Sequence, residues 1–406
     1  MEKLLNAILL ILGSSIFFTN CAQNTSEKPT NIKFKKYTLT KDFISEGVAV
    51  GDINKDGRTD IIAGSFWFEA PNWTKHQYSK TVFYGAGMKE KEKIAVDEGY
   101  CNSFLNFTMD VNRDGWMDII RVGLPGEESE WYENNQNKTS FWKAHKVHPS
   151  IGNESPAFVD VDGDRRNDLI FADSKSKKVV WLSAPTSKKD TLWHTYVISN
   201  DSLQSTHRYT HGLGFGDVNL DGKKDVIVRE GWWESPKDPK TPNWKFHKTD
   251  IGEEASQMYA MDLDGDGDQD IISASAHKYG MWWHEASLSS GEGRGEVKFK
   301  HHEFSKVFSQ THNLSLVDVN DDGNLDLVTG KRFFAHNGKD PGAFEAKVLY
   351  WFEYEPGSTP KWHPHLIDSD SGAGLQNVVL DMNKDKRKDI VVANKNGVYY
   401  FEQIKN

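Results

Sequence analysis

The chain has 406 residues, a formal net charge of −10 and an aromatic content of 12%. The negative charge argues against nucleic acid as a partner, and the length allows one large closed repeat fold or two ordinary domains. The sequence has no long heptad or helical periodicity, whereas aromatic residues, Gly, Asn and Asp are abundant. This pattern favours many short strands joined by turns.

The N-terminus is predicted to be a targeting segment rather than part of the fold. Residues 1–3 are a short charged start, and residues 4–18 are an apolar stretch too short for a typical membrane-spanning helix. Cys21 follows, at the position where bacterial lipoproteins accept lipid. We therefore predict a lipoprotein leader over residues 1–21 and a polar linker over residues 22–30, with a plain secretion signal as the alternative.

These segments predict an exported protein, either an outer-membrane lipoprotein or a periplasmic one. Its contact with the membrane would then be made only through the lipid on Cys21.

A nine-residue acidic motif recurs along the rest of the chain. Its first copy, residues 52–60, reads Asp-Ile-Asn-Lys-Asp-Gly-Arg-Thr-Asp, with oxygen-bearing residues at positions one, three, five and nine and glycine at six. Further copies span residues 110–118, 160–168, 217–225, 262–270, 318–326 and 381–389. Seven copies at intervals of roughly 45 to 63 residues indicate a repeat protein.

Each motif lies in the same sequence context. An apolar run precedes it and another follows it, then an aromatic stretch such as residues 66–69 and a final run with Trp and His such as residues 73–76. Four strands with an aromatic signature are typical of a β-propeller blade. We therefore predict an all-β fold, a seven-bladed β-propeller of four-stranded blades over residues 31–406.

The two ends of this region predict how the ring closes. The last unit stops after its third strand, whereas residues 31–40 form a strand without a unit of its own. Pairing this N-terminal strand into the last blade would remove the exposed edges.

Two insertions interrupt the repeats. Residues 78–101 form a long charged segment between the first two units, long enough to cover part of one face. Residues 287–296 are rich in Gly and Ser and are predicted to be flexible.

The acidic motif has the donors of a calcium loop. Hard divalent cations bind several oxygen ligands, and the glycine at position six permits a sharp turn. Ala63 occupies the twelfth position and strands flank the loop, so it is not an EF-hand. Arg165 and Lys386 replace the turn glycine in the third and seventh copies, where we expect weak or empty sites.

The other five copies are predicted to bind structural Ca²⁺, with Asx-type turns that need no metal as the alternative. Five divalent ions would offset the formal charge of −10. The predicted calcium ligands are Asp52, Asn54, Asp56, Asp60, Asp110, Asn112, Asp114, Asp118, Asp217, Asn219, Asp221, Asp225, Asp262, Asp264, Asp266, Asp270, Asp318, Asn320, Asp322 and Asp326.

Topology predicts that function lies on the opposite face. Because each motif joins the first strand to the second, the start of the first strand and the end of the second lie on the other rim. Of the 15 histidines, five fall on that rim: His207, His211, His277, His312 and His336. The other ten lie in the third or fourth strands, where packing or exposure explains them.

We predict a functional site from the polar residues of this rim. The predicted catalytic residues are His211, His312, Tyr209 and His277. The predicted substrate-binding residues are Arg208, Arg229, Lys331, Arg332, His207, His336 and Glu154.

This residue set fits β-elimination on a uronate sugar. A cation neutralises the uronate carboxylate, a base removes the C5 proton and an acid protonates the departing C4 oxygen. Three of the histidines could instead hold a zinc ion as the neutralising charge, and the sequence leaves both possibilities open.

The repeat core, residues 48–71 and its six counterparts, resembles the FG-GAP/VCBS repeat family of seven-bladed β-propellers. The motif followed by Trp-x-Glu-x-Pro, compared with Trp-Glu-Ser-Pro at residues 233–236, is similar to carbohydrate-active members, including ulvan lyases and sugar dehydratases such as aldos-2-ulose dehydratase. The resemblance implies a propeller, loop calcium and an acidic oligosaccharide or polysaccharide as partner.

We therefore expect a carbon–oxygen lyase, a dehydratase acting on the non-reducing-end uronate of oligosaccharides derived from ulvan, in polysaccharide degradation. The insertion at residues 78–101 favours this activity because it could close one side of the mouth into a pocket. An endo-acting lyase and a non-catalytic glycan-binding or adhesion propeller are the alternatives. We expect a monomer.

Overall fold

The computed structural model describes residues 32–85, 89–91, 98–136, 138, 140–187, 192–288 and 297–404. The predicted leader over residues 1–21, with Cys21, and the linker over residues 22–30 lie outside these ranges. None of the helices in the described part of the chain is long and apolar enough to cross a membrane.

The described residues are almost entirely β-structure, with one short 3₁₀ helix at Ala335–Gly338. In chain order the strands are β1 Lys33–Thr40, β2 Ala49–Gly51, β3 Asp60–Ala63, β4 Phe66–Glu69, β5 Thr74–Gln77, β6 Phe83–Tyr84, β7 Glu90–Lys91, β8 Tyr100–Cys101, β9 Leu105–Met109, β10 Asp118–Val122, β11 Glu127–Glu133, β12 Lys143–Ile151, β13 Ala157–Val159, β14 Asp168–Asp173, β15 Lys178–Ser183, β16 His194–Ser199, β17 Leu213–Gly216, β18 Asp225–Val228, β19 Gly231–Glu234, β20 Lys245–Lys248, β21 Gln257–Met261, β22 Asp270–Ala274, β23 Tyr279–Leu288, β24 Val297–Ser309, β25 Ser315–Val317, β26 Asp326–Gly330, β27 Leu349–Glu355, β28 Lys361–Asp368, β29 Asn377–Leu380, β30 Asp389–Asn394 and β31 Gly397–Ile404. The chain is therefore an all-β protein.

Each acidic loop joins the first two strands of a four-stranded antiparallel unit. Units one to six are β2–β5, β9–β12, β13–β16, β17–β20, β21–β24 and β25–β28, and the seventh motif joins β29 to β30. Units four and five are also joined through a parallel pair between β17 and β21.

The seventh unit takes its outer strand from the other end of the chain. Its order is β1-β31-β30-β29, and β1 runs antiparallel to β31. The Tyr37 hydroxyl donates to Glu402 Oε2 at 2.6 Å, and the Tyr37 ring stacks on Tyr400 with centroids 5.4 Å apart. This pairing covers the edge that β31 would otherwise expose.

Apolar side chains from neighbouring units share common cores. Trp181 of unit three and Trp233 of unit four lie in one buried cluster. Another cluster joins Ile61 and Phe68 of unit one to Tyr400 of unit seven. Burying one large apolar side chain contributes about 1.5–3 kcal/mol, so this packing holds neighbouring sheets face to face.

The insertion at residues 78–101 is described in part. Its strands form a small sheet of order β7-β6-β8, and residues 86–88 and 92–97 lie outside the described ranges. Residues 289–296 of the predicted flexible loop also lie outside them.

The acidic loops are folded by their own carboxylates. Asp52 accepts hydrogen bonds from the backbone N–H groups of Asp56 at 3.0 Å and Gly57 at 2.9 Å. Asp60 is buried, and its two oxygens accept the N–H groups of Ile53 at 3.0 Å and Ala70 at 2.9 Å. Burial raises the pKa of Asp60 to about 6. The ninth aspartate therefore ties the loop to the residue after the third strand.

The ninth aspartate also remains within reach of a cation. In loops 160–168 and 262–270, carboxylate oxygens at positions one, three and nine lie within 4.8 Å of one another. This oxygen-only donor set fits a hard divalent ion. The same hydrogen bonds are those of Asx-type turns, so calcium binding stays a prediction.

Candidate functional site on the rim opposite the acidic loops

The candidate site is built from residues at the strand ends that face away from the acidic loops. Glu154, His211 and His312 precede the first strands of units three, four and six, whereas His277 and Arg332 follow the second strands of units five and six. Residues far apart in sequence therefore meet at one rim.

Four of the five predicted rim histidines converge. The His211 ring lies 4.7 Å from His277, 5.4 Å from His312 and 5.8 Å from His336 between centroids. His336 lies 4.2 Å from His277 and 5.2 Å from His312. Glu154 Oε2 lies 3.7 Å from His211 Nε2, so a carboxylate completes the cluster.

Arg332 lies buried beneath this cluster and joins three units. Its Nε lies 3.2 Å from Glu46 Oε2 and its Nη1 lies 2.5 Å from Glu154 Oε2. Burial alone would raise the pKa of Glu154, but the guanidinium of Arg332 holds that pKa well below its ordinary value. A buried charge is tolerated when it is paired, and here one cation is shared by carboxylates from units one and three.

The buried histidines are held in defined orientations. His312 Nδ1 donates to the Gln310 carbonyl at 3.1 Å, and His336 Nδ1 donates to Asp340 Oδ2 at 2.5 Å. Burial and, after it, the charge of Arg332 lower the pKa of His312 well below its ordinary value and that of His336 to about 4. Both imidazoles are therefore neutral near pH 7.

His277 is the more accessible member of the cluster, with 30% of its side chain exposed. Its Nδ1 lies 3.3 Å from Asp340 Oδ2, and its Nε2 lies 2.7 Å from Glu254 Oε2. Glu254 Oε1 also lies 3.7 Å from Arg229 Nη1. His277 therefore stands between two carboxylates at the border of the cluster.

Two open recesses adjoin the cluster and share Arg229 and Glu254 as a wall. The first, of about 380 Å³, is lined by His207, Tyr209 and His211 in addition to that wall. The second, of about 660 Å³, extends past His277. The recesses give solvent and small polar ligands access to His211 and His277.

The backbone around the cluster is unusual. Asn153, Gln310, Phe334, His336 and Asn337 all have positive φ, between 51° and 71°. Such conformations cost about 1–3 kcal/mol each and persist where surrounding contacts enforce them, often at functional sites. The rim is thus built to hold specific side chains in place.

Two predicted substrate-binding residues lie away from the recesses. Arg208 donates to the Pro125 carbonyl and lies 2.7 Å from Glu127, so it holds a neighbouring loop. The Lys331 ammonium is buried and donates to the Gly342 carbonyl, with Glu345 at 3.4 Å. Lys331 therefore anchors the loop that carries His336.

Sequence reasoning missed several partners of the cluster. Glu46 occupies the same strand-start position in unit one as His211 does in unit four, which is a signal that could have found it. Asp340 lies four residues after His336, a spacing that suits local pairing. Glu254 lies in a loop with no repeat pattern and gives no comparable signal.

Comparison with known proteins bears on the repeats. The FG-GAP-like repeat family matches residues 110–171 and 262–329, which contain the second, third, fifth and sixth acidic motifs. FG-GAP-like repeats are therefore confirmed in these residues. A search of curated protein sequences found no match.

The solved structures that resemble this chain share little sequence with it. YCF48 from Cyanidioschyzon merolae is 12% identical, with a TM-score of 0.47 over 91% of this chain and 98% of that one. Rhamnogalacturonan lyase PL11 of Bacillus licheniformis is 11% identical, with a TM-score of 0.44 over 91% of this chain and 75% of that one. At these TM-scores neither likeness carries information about activity.

Proposed function

We propose that the seven four-stranded units are the blades of a closed β-propeller. The pairing of β1 with β31 supports closure, as does the core shared by Phe68 of unit one and Tyr400 of unit seven. Arg332 of unit six adds a third link because it binds Glu46 of unit one. The five acidic loops with glycine at position six then bind structural calcium on the face opposite the cluster.

The activity we propose is carbon–oxygen lysis by β-elimination on a uronate of an acidic oligosaccharide. The observation that carries this proposal is the convergence of four histidines with Glu154 and Arg332 beside an open recess. Such a rim supplies cations for a carboxylate, an oriented base and hydroxyl donors in one place.

In this reaction His277 is the base. Asp340 keeps the proton on Nδ1, and the bound sugar displaces Glu254 from Nε2, where it lies at 2.7 Å, so that Nε2 takes the C5 proton. The electron pair of that C–H bond forms the C4–C5 double bond, and the C4–O bond breaks. Tyr209, with 38% of its surface exposed in the first recess, protonates the departing oxygen. Arg229 faces the uronate carboxylate.

The surroundings of the histidine cluster favour removal of water from a terminal uronate. Tyr100 of the insertion lies with its ring 5.9 Å from Arg332 Cζ and 4.1 Å from Lys395 Nζ. The insertion therefore packs against Arg332 beside the cluster, and we propose that it limits the length of chain that fits. Cleavage inside a polymer, the alternative, would require the rim to be open on both sides.

Incubation with ulvan and with its oligosaccharides tests the proposal, because either reaction creates the ultraviolet absorbance of an unsaturated uronate. We expect His277→Ala to lower kcat by about 10²–10⁴-fold, the usual contribution of a general base. His302→Ala, a change on an outer strand, is the matched control and keeps full activity.

The products separate the two versions of the reaction. Loss of one water from short oligosaccharides identifies the dehydratase, whereas a fall in polymer length identifies the endo-acting lyase. If neither substrate gave new absorbance with the wild-type protein, the lyase would be excluded and glycan binding would become the leading function.

Export, lipid attachment at Cys21 and a monomeric state complete the proposal. Mass spectrometry of the membrane fraction from expressing cells tests the lipid, and light scattering tests the monomer.

A further inference from the structure

Three buried histidine nitrogens at the rim have no hydrogen-bond partner among the described residues. They are Nε2 of His211, Nε2 of His312 and Nε2 of His336. A buried acceptor left without a partner costs about 1–3 kcal/mol, so three of them in one cluster require an explanation.

The hydrogen bonds of the Nδ1 atoms show which ring nitrogen carries the proton in His312 and His336. A carbonyl oxygen only accepts, so His312 carries its proton on Nδ1, where it donates to Gln310. Asp340 likewise accepts from Nδ1 of His336 at 2.5 Å. The Nε2 atoms of both rings are therefore unprotonated lone-pair donors, which is the form in which imidazole binds a metal.

The three histidines that carry these nitrogens lie around one space together with a carboxylate. One ligand atom from each of Glu154, His211, His312 and His336 lies within 4.8 Å of the other three. Donors bound to one zinc ion at about 2.0–2.1 Å lie about 3.4 Å apart, so the side chains need to close by about an ångström or less.

We propose that Glu154, His211, His312 and His336 bind one divalent transition-metal ion of the zinc class. This site is distinct from the acidic loops and does not depend on the lyase proposal. A set of three imidazoles and one carboxylate suits zinc and its neighbours in the first transition row, whereas calcium needs six to eight oxygens.

The ion pair between Arg332 and Glu154 is compatible with this assignment. Ionised carboxylates offer about four lone-pair sites, so Glu154 can bind Arg332 at 2.5 Å and a metal ion at the same time. Glu46 takes part of the charge of Arg332 at 3.2 Å and so reduces its repulsion of a second cation.

Outer partners of the kind that support metal sites are also present. Asp340 accepts from His336, and Glu254 Oε2 lies 3.7 Å from His211 Nδ1. Carboxylates of this kind orient ligating imidazoles and raise their basicity. His277 contacts both carboxylates rather than the shared space, so it remains outside the metal ligands.

Zinc titration of the protein, purified without a polyhistidine tag and stripped with a chelator, tests the site by calorimetry. Excess calcium is kept present to occupy the acidic loops. We expect one zinc ion per chain, with His211→Ala and His336→Ala each weakening binding by more than about 100-fold, because even outer partners are worth about 10- to 100-fold. His207→Ala, in the first recess but outside the cluster, is the control and keeps the wild-type affinity.

Cobalt absorption provides a readout that does not depend on activity. We expect the visible bands of bound Co²⁺ in the wild type and in His207→Ala. We expect them to be lost in His336→Ala, a substitution in a loop that lies outside the sheets. Parallel titrations with Ni²⁺ and Mn²⁺ identify the preferred ion.

Absence of zinc binding in the wild type, or equal binding by all variants, would overturn the metal site. Zinc binding without any action on uronates would support the site and contradict the lyase. Turnover of uronates by a wild-type protein that binds no zinc would do the reverse.

Discussion

Two of the seven acidic loops hold a charged residue in a backbone conformation that glycine adopts in the others. Gly57 has φ of 84°, and Arg165 and Lys386 have φ of 69° and 72° at the same loop position. A left-handed conformation costs a non-glycine residue about 1–2 kcal/mol. These two side chains are therefore retained at a cost in stability.

Arg165→Gly is expected to stabilise the protein by about 0.5–1 kcal/mol, since relief of the left-handed strain exceeds the extra chain entropy of glycine. Denaturant unfolding of the metal-free protein measures the change. Gly57→Ala is the matched reverse substitution: its new Cβ meets no atom within 4 Å, so a loss of stability there reports φ alone. Destabilisation by Arg165→Gly would contradict the strain argument.

The histidines of the fourth strands share one packing pattern with the neighbouring third strands. In five units a third-strand Trp stacks on the fourth-strand His directly opposite, and a Glu two residues after the Trp contacts the same imidazole. The stacked pairs are Trp67–His76, Trp131–His145, Trp232–His247, Trp283–His302 and Trp351–His365, with centroids 4.1–4.3 Å apart. Unit three has Trp181 stacked on Tyr196 instead.

The Glu–His contact gives these strands a dependence on pH. His302 Nε2 lies 2.6 Å from Glu285, and this hydrogen bond is the main reason that the pKa of Glu285 lies below its ordinary value of 4.5. An acid with a depressed folded pKa contributes stability that is present above the unfolded pKa and is lost as the pH falls through the folded pKa.

Glu285→Gln is therefore expected to destabilise the protein at neutral pH by no more than about 1 kcal/mol, because the pair is partly exposed. The difference from wild type should shrink as the pH falls below 4.5. Urea unfolding across this range measures it. Glu303→Gln, which breaks an ion pair of 2.8 Å with Lys306 and has no hydrogen bond to an imidazole in the described part of the chain, is the control. A difference that grows towards low pH would contradict this linkage.

The strands could be predicted from the sequence because their signals are local. The acidic motif, the apolar runs and the Trp-x-Glu pattern each lie within one unit, and the units repeat. The site could be predicted only in part, because its contacts join residues such as Glu46 and Arg332, which are 286 positions apart. Lys331 and Arg332 are neighbours in sequence, yet only Arg332 reaches the cluster, and no pattern of charge distinguishes them.

The side of the molecule with the acidic loops and the opposite rim offer different metal ligands. One carries loops with oxygen donors, and the other carries a cluster of imidazoles. We expect hard ions to be bound on the first face and to stabilise the four-stranded units. In six of the seven units the ninth aspartate of the loop accepts a backbone N–H from the third strand or from the residue after it.

Calcium is accordingly expected to raise the melting temperature. When the free calcium concentration is about 100 times the Kd of a site, binding at that site adds about 2.7 kcal/mol to the free energy of unfolding. Asp266→Asn, in the glycine-containing loop 262–270, should reduce the calcium-dependent shift. Asp385→Asn, at the same position in the loop with Lys386, should leave it unchanged, because Asp385 is paired with Arg387. Equal shifts for both variants, or none with calcium in the wild type, would support turns that need no metal.

The pairing of β1 with β31 sets an order of events during synthesis. Tyr37 and Glu402 are 365 positions apart, and a ribosome adding about 5–20 residues per second needs roughly 20 to 70 seconds to make that stretch. Throughout this interval β1 has no partner, and open strand edges attract wrong ones. Lys33, Lys35 and Lys36 lie along β1, and their charges repel association until the last strand has been made.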